Sequence, residues 1–250
     1  MTEPADGPPL LQITGARATL TLNRPSQHNR IAPEDIPVIR GHLATAAATP
    51  GVRLLVLTGS GSRTFCSGYT LQAILTRLDG SFEQMCDEVE RCPLPTLAAL
   101  NGSVYGGACD LALACDWRIG VAGSRLFLPA ARIGLHYYPG GLRRFTQRLG
   151  PAAAKRILLT GMTLQAEELL RIGYLQELVP PGELAAAVRQ HELALVETEP
   201  GVVASMKQAI DRLAAGDADE TASRQAHQHS AASDELRQRL HAAGRAGGDS

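Results

Sequence analysis

The chain of 250 residues sets 24 lysines and arginines against 25 acidic residues, for a formal charge of −1, and 44% of it is apolar. That balance describes an ordinary globular protein with length enough for a full core. No basic patch stands out, and only Lys155 and Lys207 are lysines, so a nucleic-acid partner is not expected. Five cysteines without CxxC or Cys/His metal spacing argue for a reduced, cytoplasmic setting and against a metal site. The acidic, Pro-rich start MTEPADGPP, and the lack of any apolar run of about 20 residues, predict a chain neither exported nor embedded in a membrane.

In chain order, Leu10 to Ile13 and Ala18 to Leu22 are apolar or alternating runs around a turn at Gly15. They predict a β-hairpin closed by Asn23-Arg24-Pro25. Glu34 to Ala48 places Ile36, Ile39, Leu43 and Ala47 at near-helical spacing, with Pro37 confined to the first turn. Arg53 to Thr58 (RLLVLT) has the continuous apolar character of a strand buried on both faces. The rhythm recurs: Leu94 to Leu100 reads as a strand ending at Asn101-Gly102, Gly106-Gly107 opens a helix through Ala114, and Asp116 to Val121 is a further strand. Such alternation implies an α/β fold with crossover units on a parallel sheet.

From Ala152 the pattern turns helical, over Ala152 to Leu159, Leu164 to Arg171, Pro181 to Val196 and Val202 to Ala214. Beyond Gly216 large apolar residues are scarce, so the final helix is expected to be thinly buried and Ala243 to Ser250 frayed. Two regions follow, a core over 1–195 and a helical section over 196–250.

Two loops carry the candidate chemistry. The first, Thr64 to Leu71, has Gly68 just before Tyr69, and glycine permits the tight turn that would aim the Tyr69 amide into a cleft. The second, Asn101 to Asp110, sets Gly106-Gly107 at the mouth of a helix, where free amides and the helix dipole favour negative charge. One amide from each loop would form an oxyanion hole for an enolate. Gly59-Ser60-Gly61 lacks the third glycine of a dinucleotide fingerprint, so no nicotinamide cofactor is expected.

Six landmarks in register resemble the enoyl-CoA hydratase/isomerase (crotonase) superfamily over nearly the whole chain. They are Leu22-Asn23-Arg24-Pro25; Phe65-Cys66-Ser67-Gly68; Asn101-Gly102 through Gly106-Gly107 to Asp116; Leu128-Pro129 with Ile133-Gly134-Leu135; Leu159-Thr160-Gly161 with Ala166-Glu167-Glu168; and Ile172-Gly173 before Val179-Pro180. The resemblance implies a crotonase-like spiral of ββα units with a C-terminal helical trimerisation region. It also implies an acyl-CoA ligand, with coenzyme A as part of the substrate and no separate cofactor, and a homotrimer or dimer of trimers. Carried over by position, the amides of Tyr69 and Gly107 would hold the thioester oxygen. Arg30, Cys66, Ser67, Gly68 and Gly106 would line the ligand site, together with Ala130 and Tyr138.

The departures from that pattern bear on the reaction. The family's two proton-transfer glutamates correspond here to Asp110, one methylene shorter, and to Ala130, which transfers no proton. The segment Gly134 to Leu142, read as a third loop, brings His136, Tyr137 and Tyr138 in compensation. Three readings stay open. One is an enoyl-CoA hydratase/isomerase with Asp110 as the remaining proton-transfer group; the second is decarboxylation of a malonyl-type acyl-CoA with Tyr137 orienting the carboxylate; the third is acyl-CoA binding without turnover. His136 is a further candidate base, and wall or structural roles for the tyrosines and Asp110 stand beside the catalytic ones.

Overall fold

The hairpin forms as expected: β1 (Leu10–Thr14) pairs antiparallel with β2 (Arg17–Leu22), in a computed structural model that describes residues 5–76, 79–217 and 219–246. The chain continues through α1 (Asp35–Ala48), β3 (Leu54–Gly59), β4 (Thr64–Cys66), α2 (Leu71–Thr76) and α3 (Ser81–Glu90). Next come β5 (Thr96–Leu100), β6 (Ser103–Tyr105), α4 (Ala108–Ala114), β7 (Trp117–Val121) and β8 (Arg125–Phe127). Then α5 (Pro139–Thr160), β9 (Leu164–Gln165), α6 (Ala166–Arg171), β10 (Glu177–Val179) and α7 (Leu184–Val196) complete one compact unit, Met1–Glu197. A second unit, Thr198–Ser250, holds α8 (Pro200–Ala214), α9 (Thr221–Ala231) and α10 (Asp234–Ala246).

Three consecutive strand pairs divide between two sheets. β3, β5 and β7 lie in a six-stranded sheet of order β1-β2-β3-β5-β7-β10, while β4, β6 and β8 lie in a second of order β4-β6-β8-β9. Each strand of the first sheet therefore hands the chain to a short strand of the second. A helix then carries it back, the ββα spiral expected from the resemblance. In β3, Leu55 and Leu57 enter the main core, whereas Leu54 and Val56 join Leu97, Ile119 and Val188 on the other face. Both faces are covered, which is why the strand reads as an unbroken apolar run.

In the second unit no residue of α8 or α9 is buried, and Met206, Ile210 and Leu213 of α8 are exposed. The expected fraying of Ala243 to Ser250 is corrected in part, since α10 runs to Ala246; residues 247–250 lie outside the described part. No helix among the described residues is long and apolar enough to cross a membrane.

A larger correction concerns the third loop. Only its first half is loop, because Pro139 occupies the first position of α5, where a fixed φ and a missing N–H suit a helix start. A left-handed Gly150 at φ 76° kinks α5 ahead of Pro151, so the expected helix from Ala152 is only its second half. Gly140 and Gly141 serve packing here. A β-carbon on Gly141 would stand 2.3 Å from the Tyr137 ring and 2.9 Å from that of Tyr138.

Candidate active site

The site is built by the register of the smaller sheet. β4 pairs parallel with β6, and β6 with β8, so all three chains leave the same edge side by side. Their exits are Ser67-Gly68-Tyr69, Gly106-Gly107 and Leu128-Pro129-Ala130. Clefts beyond the carboxyl ends of parallel strands are the usual ligand sites of such sheets.

The first exit is fixed by a parallel bridge between Ile31 and Tyr69, in which Ile31 N–H donates to Gly68 O at 2.9 Å and Thr70 N–H to Ile31 O at 3.0 Å. Because successive backbone groups of an extended strand point to opposite sides, the Tyr69 N–H is directed away from Ile31. Gly68 itself has φ 87°, and a β-carbon there would stand 2.7 Å from Gly107 N and 2.8 Å from Tyr105 O. The two glycine loops are thus in backbone contact, and only glycine fits. Gly107 caps α4, and no acceptor among the described residues takes its N–H.

A cavity of about 570 Å³ opens over this junction. Its wall includes Arg30, Ser67, Tyr69, Gly106, Gly107, Ala130, His136, Tyr137 and Tyr138, all expected at the ligand site. Three expected members, Cys66, Gly68 and Asp110, are absent from the wall. Cys66 is fully buried behind the loop, its thiol pushed up to about 12 by burial, and Gly68 lies beneath it against Gly107. The chain has five tyrosines, four phenylalanines and one tryptophan, and six of these rings line the cavity. Phe82 lies against Gly107: a β-carbon there would meet its ring edge at 2.9 Å.

Asp110 occupies a different position from the one expected. It is fully buried and absent from the cavity wall, and both its oxygens are engaged. Arg144 donates through Nε to Oδ1 at 2.9 Å and through Nη2 to Oδ2 at 2.6 Å, while the Tyr138 hydroxyl donates to Oδ2 at 2.8 Å. The reading of Asp110 as a carboxylate open to the substrate is therefore corrected: a bidentate arginine holds it and a phenol screens it. Arg144, itself fully buried, also donates to Asp87 at 2.6 Å and Glu90 at 3.2 Å, and Arg143 pairs with Glu90. Burial opposes the Arg144 charge, yet the hydrogen bonds and charge of Asp110 prevail and hold it protonated.

The tyrosines form a stacked pair, ring centroids 4.5 Å apart, with the Tyr137 hydroxyl donating weakly to Tyr138 at 3.5 Å. Burial raises both phenols well above their ordinary range, so both stay neutral. His136 is exposed at the cavity rim, with Nδ1 2.8 Å from the Tyr137 carbonyl, which selects the Nδ1–H tautomer. Asn29 is spent on structure, donating to Ser60 O and Thr64 O and accepting from Arg24 N, while its neighbour Arg30 reaches the cavity. Asp116 is structural as expected, accepting from Thr96 N at 2.8 Å. All five cysteines are buried and none forms a disulfide, and no cluster of metal-ligating side chains occurs among the described residues.

Two participants escaped the sequence reading. Arg144 lies just past the stretch read as the third loop, Gly134 to Leu142, and Glu83 lies on α3, which was not anticipated. Glu83 lines the cavity and accepts from Gly140 N–H at 2.7 Å.

A family model described as enoyl-CoA hydratase/isomerase matches residues 12–243. The α/β spiral with its strand-end cavity is thus that of an acyl-thioester-handling fold, and the chain belongs to the enoyl-CoA hydratase/isomerase family. It is 32% identical over 180 residues, 69% of both chains, to crotonyl-CoA hydratase of Syntrophomonas wolfei. To (E)-benzylidenesuccinyl-CoA hydratase of Thauera aromatica it is 30% identical, over 81% of each. The fold matches the crystal structure of enoyl-CoA hydratase from Bacillus anthracis with a TM-score of 0.85 at 24% identity over 96% of both chains. It also matches an enoyl-CoA hydratase/carnithine racemase from Magnetospirillum magneticum, TM-score 0.89 at 24% identity, over 97% of this chain and 94% of that one.

Arg144→Met leaves the Asp110 charge buried without its partner and is expected to cost about 3–5 kcal/mol, read as a lower denaturant midpoint. Adding Asp110→Leu should recover most of that loss, and an unrescued double variant would refute the pairing. Acid provides a second check. Burial alone would raise Glu90, but Arg143, Arg144 and Arg148 outweigh it and the net shift is downward. The stability this contributes is complete above the ordinary carboxylate range and is lost as pH falls below about 4.5. Urea midpoints should accordingly drop between pH 5 and pH 3, and less steeply in Glu90→Gln.

Proposed function

We propose that the cavity binds an acyl-CoA thioester and stabilises the enolate formed from it, with the Tyr69 and Gly107 amides converging on the thioester oxygen. The observation that carries this is the backbone contact of the two loops, which sets the Gly107 N–H beside the turn that directs Tyr69. Negative charge developing on oxygen gains from donors fixed in advance, because no reorganisation is needed as it forms. Arg30, at the cavity wall, would meet a phosphate of the coenzyme A portion, which enters as part of the substrate. The related hydratases act, by their names, on CoA esters, which supports the same ligand here.

Aromatic and aliphatic walls would take the acyl group. Neutral Tyr137 and Tyr138 border it without adding charge. With Ala130 in the wall and Asp110 withdrawn, hydration by a matched pair of acids lacks its groups. The reading favoured is therefore enolate chemistry such as double-bond migration. A homotrimer or dimer of trimers belongs to the same proposal, supported by the exposed apolar residues of α8; sedimentation equilibrium would report the assembly.

Calorimetric titration with short enoyl- and saturated acyl-CoAs, followed by turnover assays on those that bind, tests the reading. Gly68→Ala should lower kcat/KM by about 10²–10³ through displacement of one donor, with little loss of solubility. A wild-type protein that binds no acyl-CoA would refute it, and binding without turnover would leave a carrier role.

A second reading, decarboxylation of a malonyl-type acyl-CoA, is favoured by one observation: Tyr137 lines the cavity, and among the described residues its hydroxyl has only a 3.5 Å partner, which it would exchange for a substrate carboxylate. Loss of CO2 yields the same enolate with no base required. CO2 release from a 2-carboxyacyl-CoA, at least tenfold slower in Tyr137→Phe, is the expected signature; a panel that releases none dismisses it.

A further inference from the structure

Resting on the enolate reading above, we propose that Glu83 is the acid–base group of this site, supplied from α3 in place of the carboxylates at 110 and 130. The carboxylates around the cavity differ sharply in what holds them. Asp79, which shares the wall with Glu83, accepts the Ser81 N–H at the start of α3 at 3.1 Å. Asp110, Asp87 and Glu90 are each claimed by Arg144, and Glu90 by Arg143 as well. Glu83 has no arginine or lysine partner among the described residues. One of its oxygens, Oε1, accepts the Gly140 N–H at 2.7 Å; Oε2 takes no hydrogen bond among the described residues. Glu83 is half-buried and forms part of the cavity wall.

Its placement is fixed from both sides. The preceding residue, Phe82, lays its ring edge over Gly107, so α3 brings Glu83 into the wall of the compartment that holds the Gly107 amide. On the other side, the first turn of α5 offers the Gly140 N–H, which holds Oε1 in place. A β-carbon at position 140 would stand 2.9 Å from Glu83 Oε1, so any larger residue there would push this carboxylate aside. A carboxylate with one oxygen anchored and the other open is the arrangement a general base needs.

The step balances within the site. Glu83 takes a proton from the carbon α or γ to the thioester carbonyl, and the C–H electron pair becomes the enolate or dienolate. The charge moves to the thioester oxygen, held by the two amides. The Glu83 carboxylic acid, whose proton exchanges with solvent, then protonates the α or the γ carbon. Return to the carbon of origin exchanges hydrogen with solvent, and return to the other one shifts the double bond.

Glu83→Gln separates chemistry from structure, because the amide oxygen keeps the Gly140 hydrogen bond at nearly equal volume. Solvent deuterium uptake into acyl-CoA and β,γ-to-α,β isomerisation should fall by about 10²–10⁴ in kcat, while KM, acyl-CoA affinity by calorimetry and thermal midpoint stay near wild type. Glu83→Asp should restore part of the rate. The proposal is overturned if Glu83→Gln exchanges deuterium at the wild-type rate, or if the wild-type protein binds acyl-CoA yet exchanges none. Failure of the wild type to bind any acyl-CoA would instead overturn the enolate reading itself.

Discussion

A buried arginine holds this site together. Arg144 reaches from α5 to Asp110 of α4 and to Asp87 and Glu90 of α3, so three helices are joined by one guanidinium with no solvent access. Buried ion pairs are poor sources of net stability, since desolvation offsets most of their attraction, but they are costly to break. Their effect is to fix geometry. Once Arg144 is in place, Asp110 faces away from the cavity, Tyr138 stands in front of it, and the start of α5 meets Glu83.

That geometry changes how the shorter side chain at 110 is understood. An aspartate in place of a glutamate is a small loss of reach if the residue still faces its substrate. Here the carboxylate is saturated by two arginine donors and a phenol, so its length matters less than its direction. The polar groups on the cavity surface include backbone amides, neutral phenols, the Ser67 and Thr70 hydroxyls, an exposed imidazole, Arg30, Asp79 and the α3 carboxylate Glu83.

Much of the fold was legible in sequence, because the strands that build it are unbroken apolar runs ending at glycines. The hairpin, β3, β5, α4 and β7 fall within a residue or two of where periodicity puts them. The two glycine loops were expected to serve one site through the amides of Tyr69 and Gly107, and the folded chain sets Gly68 against Gly107. α3 was missed although Phe82, Met85, Cys86 and Val89 repeat at helical spacing and are all buried. The acids Glu83, Asp87 and Glu90 repeat on the same period, and Arg143, Arg144 and Arg148, more than 50 residues later, answer Asp87 and Glu90. A charge pattern split between distant helices has no local signature, so its meaning emerges only when the chain is folded. The first half of α5 was lost for the opposite reason: Pro139-Gly140-Gly141 has the composition of a turn, and only the tyrosine rings lying against Gly141 show why a helix tolerates it.

The seclusion of Cys66 bears on the chemistry next door. A thioester is open to exchange with any thiolate, and this sulfur lies directly beneath the loop that carries Tyr69. With its acidity shifted to about 12 by burial, on the order of one molecule in 10⁵ carries the thiolate at neutral pH. Self-acylation from a bound activated ester is thereby suppressed without removing the sulfur atom. The same inertness makes alkylation of the five hidden thiols a measure of how often the native protein opens.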